Sequence, residues 1–306
     1  MGRAVASSTL FDMTRLQFTA AIDGLAGRDL VRFARELERQ GFVAAKVADS
    51  ICYPEQSDSK YPYSPDGSRE FLDNRSFLDP FVLAGAVSAV TERLHVFISV
   101  LKLPVRHPVL VAKQAASAAV LSGNRLILGV GMSPWPDDYE ILGVPWEGRG
   151  ARFDACIEIV RTFASGGYAE HRGDLFQIPR LKIQPAPTKP VPVVIGGHGR
   201  RSLERAARVG DGWTAAGCSV EELDHMLATL RSERTRSGRL HLPFQVHASI
   251  SHDTGEAEMD RLEGMGVTHV AVNWTDRYAV GRQDSSIERR LERVVEFGER
   301  VIAGRC

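Results

Sequence analysis

Eight times along this chain a short run of β-branched and aromatic residues gives way to a longer stretch with helical spacing, which restricts the fold to very few architectures. The pattern predicts strands over residues 16–22, 43–48, 94–103, 125–130, 191–195, 212–216, 244–250 and 269–274. Helices are predicted over 28–40, 77–90, 108–121, 150–165, 200–209, 219–236, 255–264 and 285–303. Eight strands each followed by a helix suit a closed (β/α)₈ TIM barrel better than a doubly wound sheet, so one barrel domain is expected over residues 1–306. The first strand runs into AIDGLAGRD with no GxGxxG, and the GVG ending at Gly131 continues as MSPWP, so a dinucleotide-binding loop is not expected. Two connections are long: residues 50–76 after strand 2 and residues 166–190 before strand 5. Segments of that length in a compact domain are usually lids or insertions with a function.

Charge and cysteine usage narrow the function. Lys plus Arg equals Asp plus Glu at 38 each, which gives no global field to recruit nucleic acid or anionic lipid. No stretch approaches the roughly 18 apolar residues of a membrane span, and the opening MGRAVASSTL lacks a signal-peptide core. Cys52, Cys156, Cys218 and Cys306 are dispersed, which is expected of reduced thiols in a cytoplasm rather than a disulfide or zinc framework. GxSxG, GxxxxGK[ST] and HExxH are all absent, and His241, His247 and His252 lack metal-ligand spacing on a helix. A chain with so little chemistry of its own is expected to use an organic cofactor on a small-molecule substrate.

Two segments carry a family resemblance. TERLHVFISVLKLPVRHPVLVAKQAASAAVLSGNRLILGVGMSPWPDDYEILGVPWEGRG (91–150) and PVPVVIGGHGRRSLERAARVGDGW (190–213) resemble the luciferase-like flavin- and deazaflavin-dependent oxidoreductases. The resemblance spans roughly residues 15–215 and implies a (β/α)₈ barrel. PYSPDG, LDPF, LKLPVRHP and GVGMSPW are similar to the actinobacterial-type branch that uses coenzyme F420, an 8-hydroxy-5-deazaflavin. That branch implies a dehydrogenase or reductase working by hydride transfer. FMN-dependent monooxygenases share the fold and remain the alternative, as do a flavin-binding protein without catalysis and a sugar-phosphate lyase or isomerase. The last would want a Schiff-base lysine or paired carboxylates at strand ends, for which only Lys46 and Lys102 are candidates. Relatives are often dimers through barrel helices, which makes a homodimer the expectation.

The resemblance also implies site residues. It places Ser99-Val100 where deazaflavin-using relatives have a non-prolyl cis peptide backing the ring, and Gly131, Met132, Ser133, Asp137 and Tyr139 beside the ring. Gly196, Gly197, His198, Gly199, Arg200 and Arg201 stand at a strand end before a helix, where backbone N–H groups and the helix dipole favour a phosphate. The second strand ends Asp49-Ser50, where relatives usually show Asp-His. Without that histidine as base, oxidation of an alcohol is disfavoured, and reduction of an electron-poor C=C, C=N or C=O is expected. Asp49 is read as a ring contact or a turn carboxylate; Asp49, Ser50 and Tyr63 are the candidates for chemistry, with Tyr53 and Tyr61 beside Tyr63 in the loop. Trp274 is read as a pocket wall or a core cap, and His247 as structural.

Overall fold

The computed structural model describes residues 15–64, 66–73, 75–276, 278 and 286–305; Cys306, the opening MGRAVASSTL and Pro65 of PYSPDG lie outside them. Eight parallel strands close into a barrel: β1 (Gln17–Ala21), β2 (Ala44–Val47), β3 (His95–Lys102), β4 (Leu126–Gly131), β7 (Val193–Gly196), β8 (Gly212–Thr214), β9 (Gln245–Ser251) and β10 (His269–Asn273). Each pairs with its sequence neighbour in the barrel, and β10 closes on β1 through Gln17↔His269 to Ala20↔Val272. All eight predicted strands are present. Strands such as β2 and β4 are buried along their whole length because helices cover the outside while side chains fill the lumen.

Helices α1 (Gly27–Arg39), α2 (Pro80–Val90), α3 (Pro108–Leu121), α5 (Arg149–Ala164), α6 (Arg200–Val209), α7 (Val220–Arg236), α8 (Glu256–Gly264) and α9 (Ile287–Phe297) form the outer ring. Local chemistry sets their starts. Asp79 Oδ1 accepts from Phe81 N and Val82 N with Pro80 at the first helical position, so α2 begins at 80 rather than at the predicted 77. Ser219 and Glu222 close a capping box on α7. Trp274 is a core cap: it packs edge-on against Phe33 and Phe42, and its Nε1 donates to Ala21 O at 3.1 Å.

Two elements were not anticipated. The connection 166–190 holds an antiparallel hairpin, β5 (Ala169–Arg172) with β6 (Gln177–Leu181), whose charged residues and Pro179 mask the strand pattern. After β4 a short helix, α4 (Pro136–Ile141), precedes α5. Among the described residues no helix is long and apolar enough to cross a membrane.

The lumen is polar where sequence periodicity alone suggests a plain core. His247 stacks on His269 with centroids 4.3 Å apart and lies 4.4 Å from the Phe97 ring, above a layer of Ala44, Phe97, Ile127 and Val194. His247 Nε2 pairs with Gln245 Oε1 at 2.9 Å, and His269 Nδ1 with Thr268 Oγ1 at 2.8 Å. Burial pushes the His269 imidazole down to about 3, and burial followed by the Arg125 charge pushes His95 to about 4. These rings fold neutral but protonate near 6.5 when unfolded, so the unfolded chain binds more protons as the pH falls. Their stabilisation is complete above 6.5 and declines below it until the folded values are reached, at up to about 1.4 kcal/mol per pH unit for each ring. Urea unfolding at pH 5 should therefore give a stability about 2 kcal/mol or more below that at pH 7. Replacing His269 by phenylalanine should flatten that slope, and equal slopes would refute the assignment.

Candidate active site

A cavity of about 200 Å³ opens at the carboxyl ends of the barrel strands, the end at which barrel enzymes build their sites. Its walls come from Lys46, Ala48, Asp49 and Ser50 of β2 and its exit, and from Ser99, Val100 and Lys102 of β3. Gly131 ends β4 with Met132 and Trp135 after it, Gly196 ends β7 with Gly197 after it, and Thr214 ends β8 with Ala215 and Ala216 after it. The connection after β2 covers the mouth with Tyr61, Tyr63, Phe71 and Arg75.

The floor is shaped by backbone. The Ser99–Val100 peptide is cis, as the resemblance implied. Val100 then stands as a ledge between two glycines: a Cβ on Gly131 would lie 2.6 Å from Val100 Cγ2, and one on Gly196 would lie 2.9 Å from Val100 Cγ1. No side chain fits at either position without moving Val100. Gly197 has φ +120° and a Cβ there would meet Ser202 Oγ at 2.8 Å, so this turn into α6 requires glycine. At the start of α6, Gly199 provides no side-chain cap, and its carbonyl takes the Ser202 and Leu203 N–H groups.

Asp49 lines the cavity with its carboxylate committed to protein partners. Its side chain is 1% exposed; Oδ1 accepts from the Arg106 guanidinium at 2.8 Å and Oδ2 from Lys102 N at 2.9 Å, so both oxygens tie the exit of β2 to the end of β3. Ser50 lines the cavity with no hydrogen-bonding base beside it among the described residues. Tyr63 lines it too, with its ring 4.7 Å from His198, and burial raises its phenol above the ordinary value.

Several predicted residues stand outside this cavity, each for a visible reason. Ser133 is 2% exposed, gives its hydroxyl to the Asp138 carboxylate and accepts from Trp135 N at 3.1 Å. Asp137 turns toward the covering loop, accepting from Ser57 at 2.9 Å and Ser59 at 2.7 Å, with Arg69 at 3.6 Å. Burial works to raise that carboxyl, and the two serines and Arg69 hold it below its ordinary value nonetheless. Tyr139 is fully buried edge-on against Trp146, and burial pushes its phenol up to about 12. His198 stands behind the wall, its ring edge-on to Tyr63 and its Nε2 accepting from Ala216 N at 2.9 Å. It lines a separate surface groove with Arg200, whose guanidinium pairs with Glu204 at 2.9 Å, while Gly199 and Arg201 are exposed. Tyr53 lies under Arg69, outside the cavity.

Other residues at the site have partners that the sequence did not reveal. Lys102 pairs with Asp138 at 2.6 Å, the two side chains being 8% and 3% exposed. Tyr61 stacks on Trp135 with centroids 5.2 Å apart, closing the mouth with aromatic surface. Asp23, at the end of β1, accepts from Ala48 N and also faces the cavity. The available signal was position: each polar member sits at or just past a strand end. Among the described residues no group of three or more His, Cys, Asp or Glu is arranged to hold a metal ion.

The comparisons place this architecture. The chain is 46% identical over 274 residues to an uncharacterized protein of Mycobacterium bovis, covering 89% of this chain and 94% of that one. It is 28% identical over 290 residues to an F420-dependent glucose-6-phosphate dehydrogenase of Beutenbergia cavernae, covering 91% and 80%. Among solved structures it matches a monooxygenase from Streptomyces bottropensis with a TM-score of 0.74 at 16% identity. It matches a coenzyme F420-dependent tetrahydromethanopterin reductase from Methanopyrus kandleri with 0.73 at 13%. Each match covers 95% of this chain and 100% of the other, and both show a shared fold. The model of the luciferase-like monooxygenase family matches residues 10–298, and with a closed barrel around a mouth-end cavity the chain belongs to that family.

Proposed function

We propose that this protein is a coenzyme F420-dependent oxidoreductase acting as a reductase on a small unsaturated substrate. The observation that carries the reading is the continuous wall formed by the Val100 ledge, its flanking Gly131 and Gly196, and the Gly197 turn into α6. It is a wall bare of side chains on either side of Val100 that leads from the cavity to a helix start, suited to a planar ring with a phosphate-bearing tail. Fit is further supported at the helix: the Arg200 and Arg201 N–H groups have no acceptor among the described residues. Val100, Gly131 and Met132 would hold the ring, and Gly196, Gly197 and the first turn of α6 the phosphate. The cavity volume of about 200 Å³ is below the roughly 300–1,000 Å³ of ligand pockets, so ring and substrate together require the cover over the mouth to open.

When bound, reduced deazaflavin supplies two-electron hydride transfer. The protein contributes orientation, exclusion of water by the aromatic cover, and polar groups around the reacting atoms. The reductive direction is supported by Ser50, which lies at the cavity end of β2 without a partner able to make it a base among the described residues.

Titration of the purified protein with coenzyme F420 and with FMN, each followed by fluorescence, should give saturable binding of F420 at concentrations where FMN leaves the signal unchanged. Binding of FMN alone would overturn the cofactor assignment. Turnover against activated alkenes, quinones and imines then tests the reductase, since a non-catalytic binder oxidises no reduced cofactor above background.

A further inference from the structure

We infer that the Lys102 ammonium is the donor that binds the electron-accepting oxygen or nitrogen of the substrate, and that the substrate is a flat conjugated carbonyl or imine compound. The substrate class rests on the reductase reading above; the donor site rests on geometry alone. Lys102 ends β3, one residue past the fully buried Leu101 and on the same side as Val100, and it lines the cavity. Its side chain is held at both ends. The backbone N–H is fixed by Asp49, itself anchored on Arg106, while the Nζ is fixed 2.6 Å from Asp138, whose carboxylate is oriented by the Ser133 hydroxyl. An ammonium carries three donors. Asp138 is the one acceptor it has among the described residues, which leaves donor capacity on a side chain that lines the cavity.

A buried ion pair is a poor device for stability, since apolar residues of the same size commonly serve as well or better. A cation held rigid in a dry pocket is a good device for stabilising negative charge that develops on a bound atom. The Asp138 carboxylate orients the ammonium, so its remaining donors suit an atom that carries or develops negative charge. The stacked Tyr61 and Trp135 rings, with Phe71 beside them, supply the flat apolar wall such a molecule needs. Lys46 is the other lysine in the wall, and its Nζ lies 3.4 Å from Ser249 Oγ in the lumen.

The test uses cofactor-free protein and 4-nitrophenol, whose phenolate absorbs in the visible. The wild type should bind it as phenolate at a pH where the free compound is mostly neutral. Lys102→Met should abolish that shift and weaken phenolate binding by about 10- to 100-fold, the worth of one charge-assisted hydrogen bond. Because Lys102→Met strands a buried carboxylate, the double variant Lys102→Met with Asp138→Leu is measured alongside, with circular dichroism to verify folding. Lys102→Arg should keep a reduced shift and Lys46→Met the full one. No ionisation shift in the wild type, a shift that survives the double variant, or one lost only in Lys46→Met would overturn the inference. If nitrophenolate binding follows Lys102 while F420 does not bind, the donor site stands and the cofactor reading falls; the converse separates them the other way.

Discussion

Replacing Asp49 by alanine is expected to cost about 3–5 kcal/mol of stability, which for a barrel of this length lowers the melting temperature by about 5–8 °C. The substitution removes two buried acceptor oxygens at once. The Arg106 guanidinium already has its Nε buried without a hydrogen-bond partner, and Asp49 is its ion-pair partner at 2.8 Å. Lys102 N would also lose its acceptor. Asparagine in the same place keeps shape and some hydrogen bonding, so its cost should be smaller, about 1–3 kcal/mol. Thermal unfolding followed by circular dichroism separates this from the role the sequence suggests. A ring contact would lose cofactor affinity with its melting temperature intact, and that result would show Asp49 to be something other than a brace.

Gly129→Ala is the second large effect. A Cβ at this position would lie 2.2 Å from the Ile98 carbonyl oxygen and 2.8 Å from the Phe97 ring, in the middle of the β3–β4 pairing. The first of those neighbours is backbone and cannot rotate away, so β3 and β4 must separate where β3 carries Ser99 and Val100. Overpacking a core usually costs about 1–3 kcal/mol, and a collision with a strand carbonyl belongs at or above the top of that range, a loss of about 5 °C or more. A melting temperature within a degree of wild type would sink this account.

The barrel was legible because each strand is a local event: eight apolar runs bounded by turns identify themselves without reference to one another. Gly196 and Gly197 were legible for the same reason, as glycines at a strand end before a helix, whereas Ser99-Val100 and Gly131 were legible only through the family resemblance. The partners of Asp49, Asp137 and Tyr139 were not. Asp137 is satisfied by Ser57 and Ser59, and Asp49 by Arg106 and Lys102, over separations in sequence that no periodicity encodes. Carboxylates at strand ends read alike whether they face a ligand or a neighbouring loop. The hairpin of β5 and β6 escaped because its exposed charged residues give no alternating apolar pattern.

The fastening of Asp137 to Ser57 and Ser59, together with the stacking of Tyr61 on Trp135, makes the segment after β2 and the segment after β4 a single mechanical part. Substrate range in such a barrel cannot drift through one loop at a time. A graft of residues 50–76 from a relative with another specificity would arrive without its matching anchor, and the two segments must be inherited, or exchanged, as a pair.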